Sequence, residues 1–363
     1  MERGLAMIRV RGMARAVVVV AMALGVCSSA ALGAVQYTVT DLGSLGRQPS
    51  QPNGINNSGQ VAGYSFAADN GYYAFLYSGG VMTNLGTLPG GNHSYACGIN
   101  NSGQVVGWSS TTNSDEHAFL YSGGVMTDLG TLPGGSWSQA NGINNSGQVV
   151  GYSSTINGYE HAFLYSGGVM TDLGTLPGGN ESCAYGINDS GQVVGWSSTT
   201  KGYEHAFLYS GGVMTDLGTL PGGNESHAYR INNGGQVVGC SFAGNNVFYA
   251  FLYSGGVMTD LGALPGEYQT QICALGINNS GQVVGYSNGR PFLYNGGVMT
   301  NLNDLIDQAS GWTLNEANAI NDSGQIVGIG MDMNRALLLT PTPEPTTLGL
   351  LALGGLLVLR RRR

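Results

Sequence analysis

His117-Ala-Phe-Leu-Tyr-Ser-Gly-Gly-Val-Met-Thr-Asp-Leu-Gly-Thr-Leu-Pro-Gly-Gly135 is the stretch that decides the fold. The same residues start again, unchanged, at His161 and at His205, each 44 residues on. A second element, Ile-Asn-x-x-Gly-Gln-Val-Val-Gly and its near variants, starts at Ile55, Ile99, Ile143, Ile187, Ile231, Ile277 and Ile320. Those seven copies are spaced 44, 44, 44, 44, 46 and 43 residues apart, the mark of a repeat architecture. Ala-Phe-Leu recurs as often, around Phe75, Phe119, Phe163, Phe207, Phe251, Phe292 and Leu337.

One period offers four short strands. The first ends at Ile-Asn, the second is Gln-Val-Val-Gly-aromatic, the third Ala-Phe-Leu-Tyr and the fourth Val-Met-Thr-Asp-Leu-Gly. Asn-Asn-Ser-Gly parts the first two and Ser-Gly-Gly the last two, residues that accept the positive φ of tight hairpins. The second and third strands are apolar on consecutive residues, as in a sheet buried on both faces. A four-stranded unit of about 44 residues is the period of a β-propeller blade. The alternative, an open β-solenoid, has no reason to split a repeat between the chain ends. Here Thr40 to Gly43 precedes the first Ile-Asn, and the last period, Trp312 to Thr340, stops after its third strand. The expectation is therefore an all-β, seven-bladed propeller whose last blade is closed by the N-terminal strand, Gln36 to Gly43, which hides both sheet edges.

Charge excludes one class of partner. Between Val35 and Thr340 the only basic residues are Arg47, Lys201, Arg230, Arg290 and Arg335, against 19 Asp and Glu. Such an acidic body repels phosphate backbones, so no nucleic-acid partner is expected. The domain reading is 1–34 signal peptide, 35–340 propeller and 341–363 tail. At the start, basic residues precede an apolar stretch, Ala16 to Val26, followed by small residues. That stretch is well short of the roughly 20 residues that span a bilayer, which favours a cleaved leader over an anchor. Beyond it stand Cys97, Cys183, Cys240 and Cys273, with no CxxC spacing; buried thiols and one or two bridges both fit.

The repeats around 36–340 resemble the HAF-repeat family of extracellular proteins, named for His-Ala-Phe. Tyr73, Tyr249, Arg290-Pro291 and Arg335-Ala336-Leu337 depart from that triplet. The tail resembles a PEP-CTERM sorting signal: Pro343-Glu344-Pro345, an apolar run from Thr346 to Leu359, then Arg360 to Arg363. That resemblance implies transient membrane insertion through the tail and an exosortase-like sorting transpeptidase that cuts near the motif. It also implies the surface of a Gram-negative bacterium that makes exopolysaccharide. A retained tail anchor is the alternative.

The chemistry-bearing positions read mostly as structure. His117, His161 and His205 follow Glu116, Glu160 and Glu204, but copies on different blades form a ring, whereas zinc needs ligands within roughly 2.0–2.2 Å of one point. Strand-end polar contacts are expected, with no metal and no cofactor. The Asn-Asn-Ser-Gly turns faintly resemble calcium loops, yet only Asp189 and Asp322 add a carboxylate. Tyr64, Trp108, Tyr152, Trp196 and Tyr286 share one repeat position with Cys240 and Ile329, which suits an inter-blade core better than a sugar platform. No phosphate loop, nucleophile elbow or paired-carboxylate motif is found, so no catalytic residue is assigned.

Candidate ligand contacts fall on the face where the loops vary, those joining the second strand to the third and one blade to the next. They are Tyr72, Trp137, Tyr159, Tyr203, Phe248 and Tyr268, aromatic side chains carried by a rigid scaffold. The functional expectation is an exported surface or matrix module, non-enzymatic, that binds exopolysaccharide or another surface protein. The alternative is a lyase or hydrolase acting on polysaccharide from the same face. Processing is open to direct measurement: protein taken from the cell surface should begin near Ala31 to Val35 and lack Arg360 to Arg363 by intact mass. Finding Arg363 in most of it would mean a retained anchor.

Overall fold

The computed structural model describes residues 36–342, apart from 114, 243–246, 269 and 333. The leader at 1–34 and the sorting motif Pro343, Glu344 and Pro345 lie outside the described residues. Among those described, no helix is long and apolar enough to cross a membrane.

Seven four-stranded antiparallel sheets form the propeller. Blade one comprises Gly46–Ile55, Val61–Ala67, Tyr72–Ser78 and Val81–Asn84, and blades two to six repeat it at the spacing of the sequence. Blade seven takes Leu314–Ile320, Ile326–Gly330 and Arg335–Pro341, then borrows Tyr37–Asp41 as its outer strand. The register runs from Tyr37 opposite Pro341 to Asp41 opposite Leu337, as the split repeat requires. Leu42 continues from that strand into the seam between blades seven and one, packed with Val61, Phe75, Val327 and Leu338. One feature departs from the repeat: two short 3-10 turns, Leu302–Leu305 and Gln308–Ser310, replace the Leu-Pro-Gly-Gly link between blades six and seven.

Consecutive apolar residues have separate destinations. In blade two, Val105 and Phe119 face blade one, against Ala62, Ala74, Leu85 and Leu88. Their neighbours Val106 and Ala118 face blade three, against Leu129, Leu132, Val149 and Phe163. Successive side chains of a strand leave on opposite faces, so a doubly buried sheet reads as a continuous apolar run. Burying one such Phe or Leu stabilises the fold by roughly 1.5–3 kcal/mol. The glycine after Val-Val is steric: a Cβ at Gly151 would overlap the Gln139 carbonyl oxygen where the first strand bulges.

Buried serines latch adjacent blades. Ser138 Oγ accepts from Ala118 N at 2.9 Å and donates to Gly130 O at 2.6 Å, both one blade back. The asparagine of each Ile-Asn closes the molecule at the axis. Asn56 Nδ2 donates to Asn100 O, Asn100 to Asn144 O, and so on through Asn188, Asn232, Asn278 and Asn321, whose amide returns to Asn56 O. Within its own blade each amide also donates to the Gln of Gly-Gln-Val-Val, as Asn144 does to Gln148 Oε1 at 2.7 Å. Its Oδ1 accepts from the backbone of the turn, Ser146 N and Gln148 N.

Asn144→Ala would leave the buried Asn188 carbonyl and the turn amides without these partners. A loss of about 1–3 kcal/mol is expected in urea unfolding, against under roughly 0.5 kcal/mol for the exposed Ser146→Ala. Equal stability of the two variants would show that the ring is not a stabilising circuit.

Candidate functional site

Two faces follow from the strand directions. The Asn-Asn-Ser-Gly and Ser-Gly-Gly turns emerge on one, the variable loops on the other, here the top. The turn face is occupied by its own chemistry. A second circuit links backbone N–H to side-chain oxygen from blade to blade: Asn57 N to Asn101 Oδ1, Asn145 N to Asp189 Oδ1, Asn279 N to Asp322 Oδ1, Asp322 N back to Asn57 Oδ1. The other carboxylate oxygen of Asp189 accepts from the Asn145 and Asn233 amides at 2.9 and 2.8 Å. Burial alone would raise the Asp189 carboxyl; these donors outweigh it and hold it below its ordinary value. Carboxylates so engaged are structural.

The histidines are engaged too, with different neighbours from those the sequence put beside them. His117 Nδ1 lies 2.8 Å from Asp128 on the fourth strand of its own blade, and His161 and His205 pair likewise with Asp172 and Asp216. Two of the preceding glutamates reach the next blade instead: Glu204 meets His227 at 2.6 Å and Glu116 accepts from Gln139 at 3.0 Å. In blade seven Arg335 stands at the histidine position and pairs with Asp41 at 2.5 Å, tying the borrowed strand to its neighbour. Among the described residues no three metal-ligating side chains converge.

The top face is built from two positions that oppose each other across the first and second strands. On the first strand stand Gln51, Tyr95, Gln139, Cys183, His227, Cys273 and Glu316; on the second, Tyr64, Trp108, Tyr152, Trp196, Cys240, Tyr286 and Ile329. The second-strand residue also meets the first strand of the next blade. Tyr64 lies 4.7 Å from Tyr95, Trp196 stacks on His227 at 5.6 Å, and Cys240 bridges to Cys273 as a disulfide. Cys97 and Cys183 are free thiols. The aromatic position is therefore an inter-blade contact, half-buried because it borders the top face.

At blades one and two these contacts open into a cleft. Tyr72 and Tyr95 stack at 5.9 Å, and Tyr95 continues onto Trp108 at 4.2 Å. Tyr72 and Tyr95, together with Tyr64, Gln51, Glu316 and Asn334, border a hollow of about 550 Å³. Burial raises the Glu316 carboxyl above the usual range and also raises the Tyr64 and Tyr95 hydroxyls. Gln51 and Glu316 also border the mouth of the axial channel, about 310 Å³, with Tyr185, Tyr229, Arg230 and Asn318.

The six candidate contacts do not form one site. Tyr72 lies in the cleft. Trp137 packs edge-on to Tyr152 at 5.5 Å beside Glu116, in a separate hollow of about 350 Å³. Phe248 packs on Phe242 at 4.8 Å. Tyr159, Tyr203 and Tyr268 are exposed, Tyr268 to 88%. Sequence reading missed Gln51, Tyr95, Glu316 and Arg230. The signal was present: these first-strand positions vary from blade to blade between residues that hardly change.

A model of the PEP-CTERM protein-sorting motif matches residues 341–363. This is a sorting signal recognised by exosortase, and it marks the chain as exported and sorted to the surface. No curated protein matches the chain by sequence. Among solved structures it resembles a streptogramin B lyase, with 13% identity and a TM-score of 0.52 over 85% of this chain and 98% of that one. A puromycin-hydrolyzing peptidase of Mycobacterium tuberculosis gives 11% and 0.52, over 85% of this chain and 54% of that one. SapL1 lectin, determined with alpha methyl fucoside, gives 13% and 0.41 over 70% and 95%. At such identities the likeness is one of fold alone.

Glu316 gives the site a pH signature. Its carboxyl binds a proton more tightly folded than unfolded, so this group's contribution falls as pH rises from roughly 4.3 through the raised folded value. Glu316→Gln should remove that component. Urea unfolding free energies of variant and parent should diverge in the variant's favour across that window. Parallel curves would mean the carboxyl is not perturbed.

Proposed function

We propose that the protein is a non-enzymatic surface module that binds glycan in the top-face cleft bordered by blades seven, one and two. The observation that carries this reading is the grouping of three tyrosine rings, Tyr64, Tyr72 and Tyr95, with the Gln51 amide and the Glu316 carboxyl in a single hollow. Aromatic faces accept the apolar C–H face of a sugar ring, while amide and carboxyl groups satisfy hydroxyls at its edge. The volume lies within the roughly 300–1,000 Å³ of small-ligand sites. Trp137 beside Glu116 and Gln139 supplies a second, smaller contact, and Tyr159, Tyr203, Phe248 and Tyr268 a rim for an extended chain. Exopolysaccharide of a Gram-negative cell is the ligand we favour. That choice rests on the resemblance of the tail and of the repeats, as does transient insertion of the tail; leader cleavage rests on the short apolar stretch from Ala16 to Val26 and the small residues after it.

The second reading, a polysaccharide-active enzyme, draws on the raised Glu316 carboxyl, which suits a general acid. Glycoside hydrolysis ordinarily needs a second carboxylate, and among the described residues bordering the cleft Glu316 is the only one. Binding is favoured on that ground.

A glycan array probed with the full-length protein should identify ligands. Tyr72→Ala and Tyr95→Ala should each weaken the best of them at least about tenfold, roughly 1.4 kcal/mol, with Tyr268→Ala near parent. Unchanged affinity in the first two would remove the cleft as the site. Turnover of the bound glycan that is lost in Glu316→Gln would establish the enzymatic reading instead.

A further inference from the structure

Arg230 breaks the repeat at the axis. Its position is held by Gly54, Gly98, Gly142, Gly186, Gly276 and Ala319 in the other six blades, so only blade five sends a side chain longer than a methyl group into the channel at this level. It has no carboxylate partner among the described residues, although the other paired arginines do: Arg290 meets Glu267 and Arg335 meets Asp41. Arg230 Nη1 donates to Tyr229 O at 2.9 Å and to Tyr185 O at 3.3 Å. Neither Nε nor Nη2 has a protein acceptor among the described residues. A guanidinium keeps its charge when buried and offers its remaining N–H groups as a planar fork matched to a carboxylate.

The rest of the mouth offers acceptors. Asn53, Asn141 and Asn318 each give their Nδ2 to a carbonyl of the next blade, Ala96, Ala184 and Pro52, at 2.7, 2.9 and 2.8 Å. That fixes each amide, and its oxygen receives no donor from the described residues. The Oδ1 of Asn318 is buried with no donor among the described residues, a costly arrangement in a protein interior. Tyr185 and Tyr229 add two rings 5.3 Å apart. One cation among amide oxygens suits a molecule that joins a carboxylate to hydroxyl donors. It suits a bare inorganic anion poorly, because the same oxygens would repel it.

We propose that the channel mouth binds a sugar acid, its carboxylate on Arg230 and its hydroxyls on the Asn53, Asn141 and Asn318 oxygens. This deepens the glycan reading, on which it rests for the choice of a sugar: the mouth shares Gln51 and Glu316 with the tyrosine cleft. A uronate-bearing polysaccharide could thus lie in the cleft with one acidic residue turned into the channel. Exposed carboxylates of the acidic body are screened beyond roughly 8 Å at physiological salt, and the one carboxyl at the mouth among the described residues, Glu316, is pushed toward its neutral form by burial.

Calorimetric titration of the full-length protein with D-glucuronate, D-glucose, acetate and inorganic phosphate tests the proposal. Glucuronate should bind at least about tenfold more tightly than the other three. Arg230→Gly, which restores the residue of the other blades, and Arg230→Gln should both reduce it to the level of glucose with melting unchanged. Undiminished glucuronate binding in both variants, phosphate binding as tight as glucuronate, or no glucuronate binding would each overturn it. The two readings fail separately: loss of neutral-glycan binding in Tyr72→Ala with glucuronate retained belongs to the cleft, whereas loss in Arg230→Gly alone belongs to the channel.

Discussion

Seven asparagine amides, each donating to the backbone of the next blade, hold the axis of this molecule, and the circuit has no free end. A propeller has a geometric difficulty that a solenoid lacks: every blade must meet its neighbours at the same angle, and the last must meet the first. A short amide at the tip of each innermost strand measures that angle through hydrogen bonds of 3.0–3.1 Å. Because the same side chain also caps its own hairpin, the turn and the blade spacing are set by one group. An amide is well suited to this, since it both donates and accepts. The Asn-Asn-Ser-Gly element is invariant in its first residue for that reason, and the two carboxylates in the neighbouring circuit serve the same geometry.

Closing one face releases the other. The inter-blade cores are filled by Val, Ala, Phe and Leu copied from repeat to repeat, and the serine latches are copied with them. What remains free to vary is the end of each innermost strand nearest the top, together with the loops around it. Where that position meets its neighbour the protein uses a tyrosine pair, an indole on an imidazole, or a disulfide, as Cys240 and Cys273 show. These alternatives fill one contact, so variety there costs the fold little. The concentration of tyrosines at blades one and two, and the arginine of blade five, are departures the scaffold tolerates rather than requires. That is where a binding role has room to arise.

Much of this was legible in the chain. The period, the four strands, the hairpin residues and the borrowed strand follow from local preferences and from counting, because identical residues in identical contexts repeat a local structure. The inter-blade place of Tyr64 and Trp196 was legible from Cys240 and Ile329 at the same position. The destination of the tail could be read from the order of motif, apolar run and arginines. The partners of the side chains were not legible. His117 lies beside Glu116 in sequence and pairs with Asp128, because neighbours along a strand point to opposite faces while the adjacent strand lies alongside.

Sequence by itself determined a seven-fold array of four-stranded units, closed end to end, in a chain addressed to the surface. Tertiary structure alone decided what closure brings together. Gln51 and Glu316 lie at opposite ends of the repeat array, yet they border one cleft because blade seven is sealed against blade one. Arg230 is one residue in a repeat until seven innermost strands converge on an axis and leave its guanidinium in their channel. Periodicity records what every blade shares, whereas a site on the axis is made of what single blades do differently, and only the closed ring brings those differences within reach of one another.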